Sequence, residues 1–119
     1  WEDNINRLNI IAKSKGIKYF VFLQPTLGLI GPQSNPTKGS KDELLYRSLI
    51  GGYYLENLNW GYDELIKRCL KIEFCFDITD VAPPTGNMYK DYTHHNSNGN
   101  KIIAEEIFNI LKKKVDFID

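Results

Sequence analysis

The chain has two histidines, and they are neighbours: His94 and His95 follow Asp91 at three and four residues in "DYTHHNSNGNKIIAEEI", positions 91–107. An imidazole works as a general base near neutral pH when a partner fixes its tautomer and stabilises its protonated form, and a carboxylate does both. An aspartate three residues before a histidine, in a turn, can fold back onto Nδ1 and leave Nε2 free to face a nucleophile. Asp91 and His94 are therefore the candidate catalytic residues, as orienting acid and base. The spacing alone is a weak signal, because histidines in loops near helix starts often only hydrogen-bond backbone. His95 takes the plainer role of a neighbour that points elsewhere, with substrate contact the minority reading. A metal site built from Asp91, His94 and His95 is disfavoured, since the set lacks a third well-spaced soft ligand and a closed outer shell of partners. No metal and no cofactor are expected.

The elements that must position this pair can be read from periodicity and turn chemistry. Trp1, Ile5, Leu8 and Ala12, joined by Ile11, recur at helical spacing over 1–15, and Gly16 is placed to end that helix. "IKYFVFL", 17–23, is a nearly continuous β-branched and aromatic run, the pattern of a parallel strand buried on both faces. The connection from Gln24 to Ser40 carries three prolines and three glycines in 17 residues, long enough to be a functional or a mobile loop. Gln24 and Pro25 leave the strand on the ligand side, and their loop is a candidate wall for a substrate pocket. Ser40 and Glu43 predict a capping box that opens a helix in which Leu45 and Leu49 share a face. Gly51 and Gly52 break it, and a second helix follows from Tyr53 to Leu70 with Tyr54, Leu58, Leu65 and Cys69 on one side. Tyr53, Tyr54, Trp60 and Tyr62 read as core more readily than as a carbohydrate platform.

"FCFDIT", 74–79, predicts the second strand, and Pro83, Pro84 and Gly86 mark the loop after it. Asp77 and Asp80 are expected to cap or turn rather than catalyse. Asn96, or alternatively Asn98, caps the last helix, with Ile103, Ile107, Ile110 and Leu111 as its buried stripe and Gly99 allowing a close approach at its start. Helices alternating with strands predict an α/β fold with a parallel sheet, and no internal repeat interrupts the order. Ligands of such sheets sit beyond the carboxyl ends of the strands, which is where the loop 79–95 leads. Two strands are fewer than a sheet of this class usually has.

Composition excludes several partners. Fifteen basic residues balance fifteen acidic ones, so no overall field favours nucleic acid or an anionic surface, and Lys112–Lys114 complement the end of the last helix. With 42% hydrophobic and 25% charged residues the chain has the makeup of one globular domain or a piece of one. No apolar run approaches the length of a membrane span. Cys69 and Cys75 form no Cys-x-x-Cys or disulfide framework and are expected to be small buried hydrophobes. The chain begins at Trp1, so further chain upstream is expected.

The residues Asp91, His94, Asn96, Gly99 and Ala104, in that order, resemble the final motif of the SGNH or GDSL-like esterases and lipases. "FCFDITDV" with its proline-containing loop is similar to the last strand of that family, and "YFVFLQPTL" to the penultimate strand of a bacterial branch. The likeness spans nearly the whole chain, with its specific part in the last segment. It implies a three-layer α/β/α fold with a parallel sheet, flavodoxin-like, of which residues 1–119 would supply the last two strands as the carboxyl-terminal part of a single domain. It also implies a serine nucleophile activated by His94, which Asp91 orients, in an acyl-enzyme hydrolysis of a small-molecule, carbohydrate or lipid ester. The family's nucleophile lies in a G-D-S turn, with oxyanion donors in the two motifs that follow. None of Ser14, Ser34, Ser40, Ser48 and Ser97 has that setting, so the missing amino-terminal segment of the same domain is the expected partner, and the 119-residue chain alone is expected to be inactive. The alternative from another class is a non-catalytic α/β binding or scaffold module that has the fold without the serine.

Overall fold

A computed structural model describes residues 1–29, 36–50, 52–81 and 86–115. Pro32, Ser34, Gly51, Pro83 and Pro84 of the expected loops and breaks lie outside these. The described elements are α1 (Glu2–Ser14), β1 (Val21–Leu23), α2 (Lys41–Leu49), α3 (Tyr53–Cys69), β2 (Cys75–Asp77) and α4 (Ser97–Lys114). The protein is thus mixed α/β, with four helices and a two-strand parallel sheet among the described residues.

The strands pair as Val21 with Cys75, Phe22 with Phe76 and Leu23 with Asp77. The Val21 N–H donates to the Phe74 carbonyl at 2.9 Å and the Ile78 N–H to the Leu23 carbonyl at 3.0 Å. Backbone groups alternate sides along a strand, so Val21 and Leu23 turn theirs to β2 while Phe22 turns its own to the opposite edge. The regular ladder is shorter than the apolar runs 17–23 and 74–79 predict, because a strand lasts only as long as its partner runs beside it. Only Leu23 of β1 is buried; Val21 and Phe22 are half-buried and Ile17 is exposed, so burial on both faces is incomplete.

Side chains of the two faces enter different clusters. Val21, Leu23 and Cys75 pack with Leu65, Ile66 and Cys69 of α3. Phe22, Leu45 and Leu49 of α2, and Ile107 and Ile110 of α4 pack against a second cluster, Leu27, Ile78, Met88, Tyr89 and Ile103. The two clusters thus draw on different helices, α3 in one and α2 and α4 in the other.

Helix ends follow the chemistry of their residues. Gly16, at φ 68°, completes a Schellman motif in which its N–H reaches the Lys13 carbonyl and the Ile17 N–H reaches that of Ala12. Ser40 Oγ accepts the Glu43 N–H at 3.1 Å, while the Glu43 carboxylate turns back to the Gly39 N–H. That bond, helped by Arg47, lowers the Glu43 carboxyl below its ordinary pKa. The α1 stripe differs from expectation: Ile5 and Asn9 are buried, whereas Trp1, Leu8 and Ile11 are exposed. The apolar residues of α1 spread around its circumference, and Ile5 and Asn9 lie on the side that is buried. Among the aromatics of α3, Tyr53 and Trp60 are 83% and 74% exposed, against the core reading. They stand two turns apart on one face, and the opposite side presents Leu65, Ile66 and Cys69 to the sheet.

Cys69 and Cys75 form a disulfide, which corrects the reading of two free thiols. A hydrogen-bonded turn, Ile72 N–H to the Cys69 carbonyl and Cys75 N–H to the Ile72 carbonyl, reverses the chain and brings the two Cα atoms to 5.2 Å. A spacing of six residues does not reveal this until the α3–β2 turn is known. Closing so short a loop restricts the unfolded chain by about 2 kcal/mol. The Cys69→Ser, Cys75→Ser double variant should therefore unfold at lower urea, by about that free energy, and added reductant should shift the parent protein equally. A parent protein insensitive to reductant, carrying two alkylatable thiols, would show that the bridge does not form in solution.

Candidate functional site

Parallel strands point their carboxyl ends the same way, so the segments leaving Leu23 and Asp77 emerge on one side of the sheet. The β1 exit is firmly seated. Pro25 to Leu29 are buried, and Gly28, at φ 94°, lies so close to Leu55 that a Cβ would overlap its Cδ2. Thr26 Oγ1 shares a hydrogen bond with Tyr62 OH at 2.8 Å, and Asn59 Nδ2 donates to the Gly28 carbonyl at 3.1 Å. The first part of the loop proposed as functional or mobile is thus packed wall, with Gln24 exposed at its start.

The residues 88–96 fold into a small hairpin. Its rungs are the Asn96 N–H to the Met88 carbonyl at 2.9 Å and the Lys90 N–H to the His94 carbonyl at 2.8 Å, with Tyr89 opposite His95 between them. Asp91, Tyr92 and Thr93 make the tip. There the Asp91 carboxylate accepts the Thr93 N–H at 3.0 Å and the His94 N–H at 2.9 Å, and its two oxygens each lie 3.0 Å from His94 Nδ1. The Thr93 hydroxyl also reaches Asp91 Oδ1, at 3.2 Å, and lies 3.2 Å from His94 Nδ1. The N–H groups of His94 and Thr93, joined by the imidazole, hold the Asp91 carboxyl well below the usual carboxylate range. An ionised carboxylate only accepts, so His94 carries its proton on Nδ1 and leaves Nε2 as the free acceptor. The His94 side chain is 76% exposed and that of Asp91 42% exposed.

A carboxyl with a depressed folded pKa contributes stability above its unfolded pKa, near 4, and loses it as pH falls from there toward the folded value. The Asp91 carboxyl should consequently stay ionised at pH 3, where ordinary aspartates are largely protonated. Carbon-detected NMR titration of the aspartates checks this, and an Asp91 midpoint near 4 would contradict the network at the tip.

His95 turns inward. Its Nε2 lies 3.0 Å from the Pro25 carbonyl, and a carbonyl only accepts, so His95 is protonated on Nε2. Its ring centroid is 5.1 Å from that of Tyr89. Burial lowers its pKa from the ordinary histidine value, offset in part by the Pro25 bond and by Asp42, while His94 adds to the lowering. Burial likewise pushes the Tyr89 hydroxyl far up.

Behind the hairpin stands a residue that sequence reasoning did not single out. Asp42, in the first turn of α2 and 2% exposed, accepts the Met88 N–H at 2.7 Å and the Tyr89 N–H at 3.1 Å. An acid in a first helical turn reads as a dipole partner, and its partners lie 46 and 47 residues away, so no local signal marks this role. Asn96 caps α4 through Gly99 N–H at 2.9 Å, and Gly99 itself is required, because a Cβ there would meet the Met88 carbonyl oxygen at 2.2 Å. Asn98 is not the cap; its Nδ2 donates to the Asn87 carbonyl at 2.8 Å. Tyr92, at the tip, meets Tyr54 of α3 edge to face at 5.6 Å, and burial raises the Tyr54 hydroxyl pKa.

Other nominated residues fall away from the pair. Asp77 accepts the Thr79 N–H at 2.9 Å, the turn role expected of it. Among the described residues no serine hydroxyl bonds His94, and no three of His, Cys, Asp and Glu gather as metal ligands. The described grooves lie elsewhere. One of about 360 Å³, lined by Lys13, Lys18, Phe20, Glu73, Phe76 and Lys114, opens at the amino ends of the strands, opposite the pair. No described helix is long and apolar enough to cross a membrane. No family model matches the chain, and no significant match to it occurs among the curated proteins or the solved structures.

Proposed function

We propose that Asp91 and His94 are the orienting acid and general base of a serine-type ester hydrolase of the SGNH or GDSL-like kind, with the three-layer α/β/α fold of that family. One observation carries the reading: His94 Nδ1 lies 3.0 Å from the Asp91 carboxylate on an exposed side chain, an arrangement that supports Nδ1–H donation and leaves Nε2 as the acceptor a base needs to take a proton from a hydroxyl. In this mechanism Nε2 removes the serine proton as the oxygen attacks the ester carbonyl. Asp91 stabilises the imidazolium, and Nε2–H then returns the proton to the departing alcohol. Water repeats the cycle on the acyl-enzyme.

The nucleophile and oxyanion donors would come from chain outside these 119 residues. The edge of β1 at which Phe22 directs its backbone groups is suited to receive a further parallel strand. The ester would be one of a small molecule, a carbohydrate or a lipid. The test is hydrolysis of p-nitrophenyl acetate by the protein with its native flanking sequence, compared with His94→Ala. The absence of a described serine beside His94 favours a second reading, a non-catalytic α/β module. Hydrolysis that does not depend on His94, or none at all, would favour it.

A further inference from the structure

We infer that His95 is a positioning residue: as the Nε2–H tautomer, bonded to the Pro25 carbonyl and in ring contact with Tyr89, it fastens the hairpin bearing Asp91 and His94 to the exit of β1. The bond between Asp91 and His94 spans three residues, so the turn can build it unaided. What the turn cannot set is the direction in which the pair faces relative to the sheet. His95 reaches across 70 residues to a fully buried proline, an anchor that cannot yield without disturbing the core.

Extended backbone sends successive side chains to opposite sides. Across the antiparallel bridge from Tyr89, His95 points in and is half-buried; His94 must then point out, as its exposure shows. Fixing one histidine therefore aims the other. The Asp42 bonds to Met88 and Tyr89 hold the partner arm of the same hairpin, and Asn96 and Asn98 tie its base to Asn87 at 2.9 and 2.8 Å. His95 adds the link to the neighbouring strand. The fastening stands on these contacts alone, whereas its catalytic consequence rests on the esterase reading above.

The two adjacent imidazoles are thus held in opposite tautomers, which imidazole nitrogen NMR on the 15N-labelled protein reads directly, with the two histidines assigned by substitution. At neutral pH His94 should show a protonated Nδ1 and His95 a protonated Nε2. In His95→Leu, which removes the donor, exchange of the Lys90 and Asn96 amides should quicken about tenfold, the loss of one hydrogen bond, while the Val21 and Ile78 amides hold steady. His95→Gln, whose Nε2 is a donor at nearly the same reach, should restore slow exchange. In the active enzyme His95→Leu should lower kcat about a hundredfold with little change in KM, and His95→Gln should recover most of it.

A protonated Nδ1 on His95 would overturn the inference. So would unchanged hairpin exchange in His95→Leu, or failure of His95→Gln to restore it. Should His95→Leu not fold, the parent tautomers and the His95→Gln exchange decide alone. An inactive parent protein that shows the opposite tautomers would count against the esterase reading and for the fastening, so the two fail separately.

Discussion

Replacing His94 by alanine should lower ester turnover by about a million-fold, and replacing Asp91 by asparagine by about ten-thousand-fold, with the fold retained in both. The difference in size follows from the roles. In the proposed esterase, without His94 no group at this site would remove the hydroxyl proton, and what survived would be the contribution of binding and oxyanion donors. Asparagine at 91 can keep an oxygen toward the Thr93 and His94 N–H groups, but it carries no charge to stabilise an imidazolium, and its amide can favour the wrong imidazole tautomer. Both side chains are substantially exposed, so neither substitution opens a cavity. Steady-state kcat and KM, with circular dichroism as the control for folding, measure the effect. A well-folded His94→Ala protein with near-normal turnover would remove His94 from the mechanism.

The largest effect on stability is expected at Asp42. Its two oxygens accept the Met88 and Tyr89 N–H groups in a site that is 2% exposed, so Asp42→Ala removes the acceptor of two buried hydrogen bonds and should cost about 3 kcal/mol. Asp42→Asn retains one acceptor oxygen and should lose less. Urea unfolding of the three proteins gives the order. Equal stability of Asp42→Ala and the parent would mean that water reaches those donors and that α2 does not hold the hairpin.

What could be read from the sequence is what depends on near neighbours. The Asp91–His94 contact, the Asn96 cap over Gly99, the Ser40 bond to Glu43 and the positive φ of Gly16 all span a few residues, and each follows from the residue types present. Features that depend on distant partners could not be read this way. The function of Asp42 appears only when α2 is laid against Met88 and Tyr89, and the inward turn of His95 only when β1 brings Pro25 beside it. The apolar runs 17–23 and 74–79 outrun the strands because they mark what can pair, whereas the ladder ends where the partner ends. Trp1, Leu8 and Ile11 illustrate the same limit: helical spacing marks a face, and only the neighbouring elements decide which face is covered.

If His94 activates a serine, that serine can be trapped covalently. A fluorophosphonate reacts with an activated serine hydroxyl, releasing fluoride and forming a stable phosphonyl ester, and peptide mass spectrometry locates the modified residue. Applied to the protein with its native flanking sequence, the reagent should label one serine outside residues 1–119, and His94→Ala should abolish the labelling. A folded protein that takes up no label, or one labelled equally with and without His94, would contradict activation of a serine by His94.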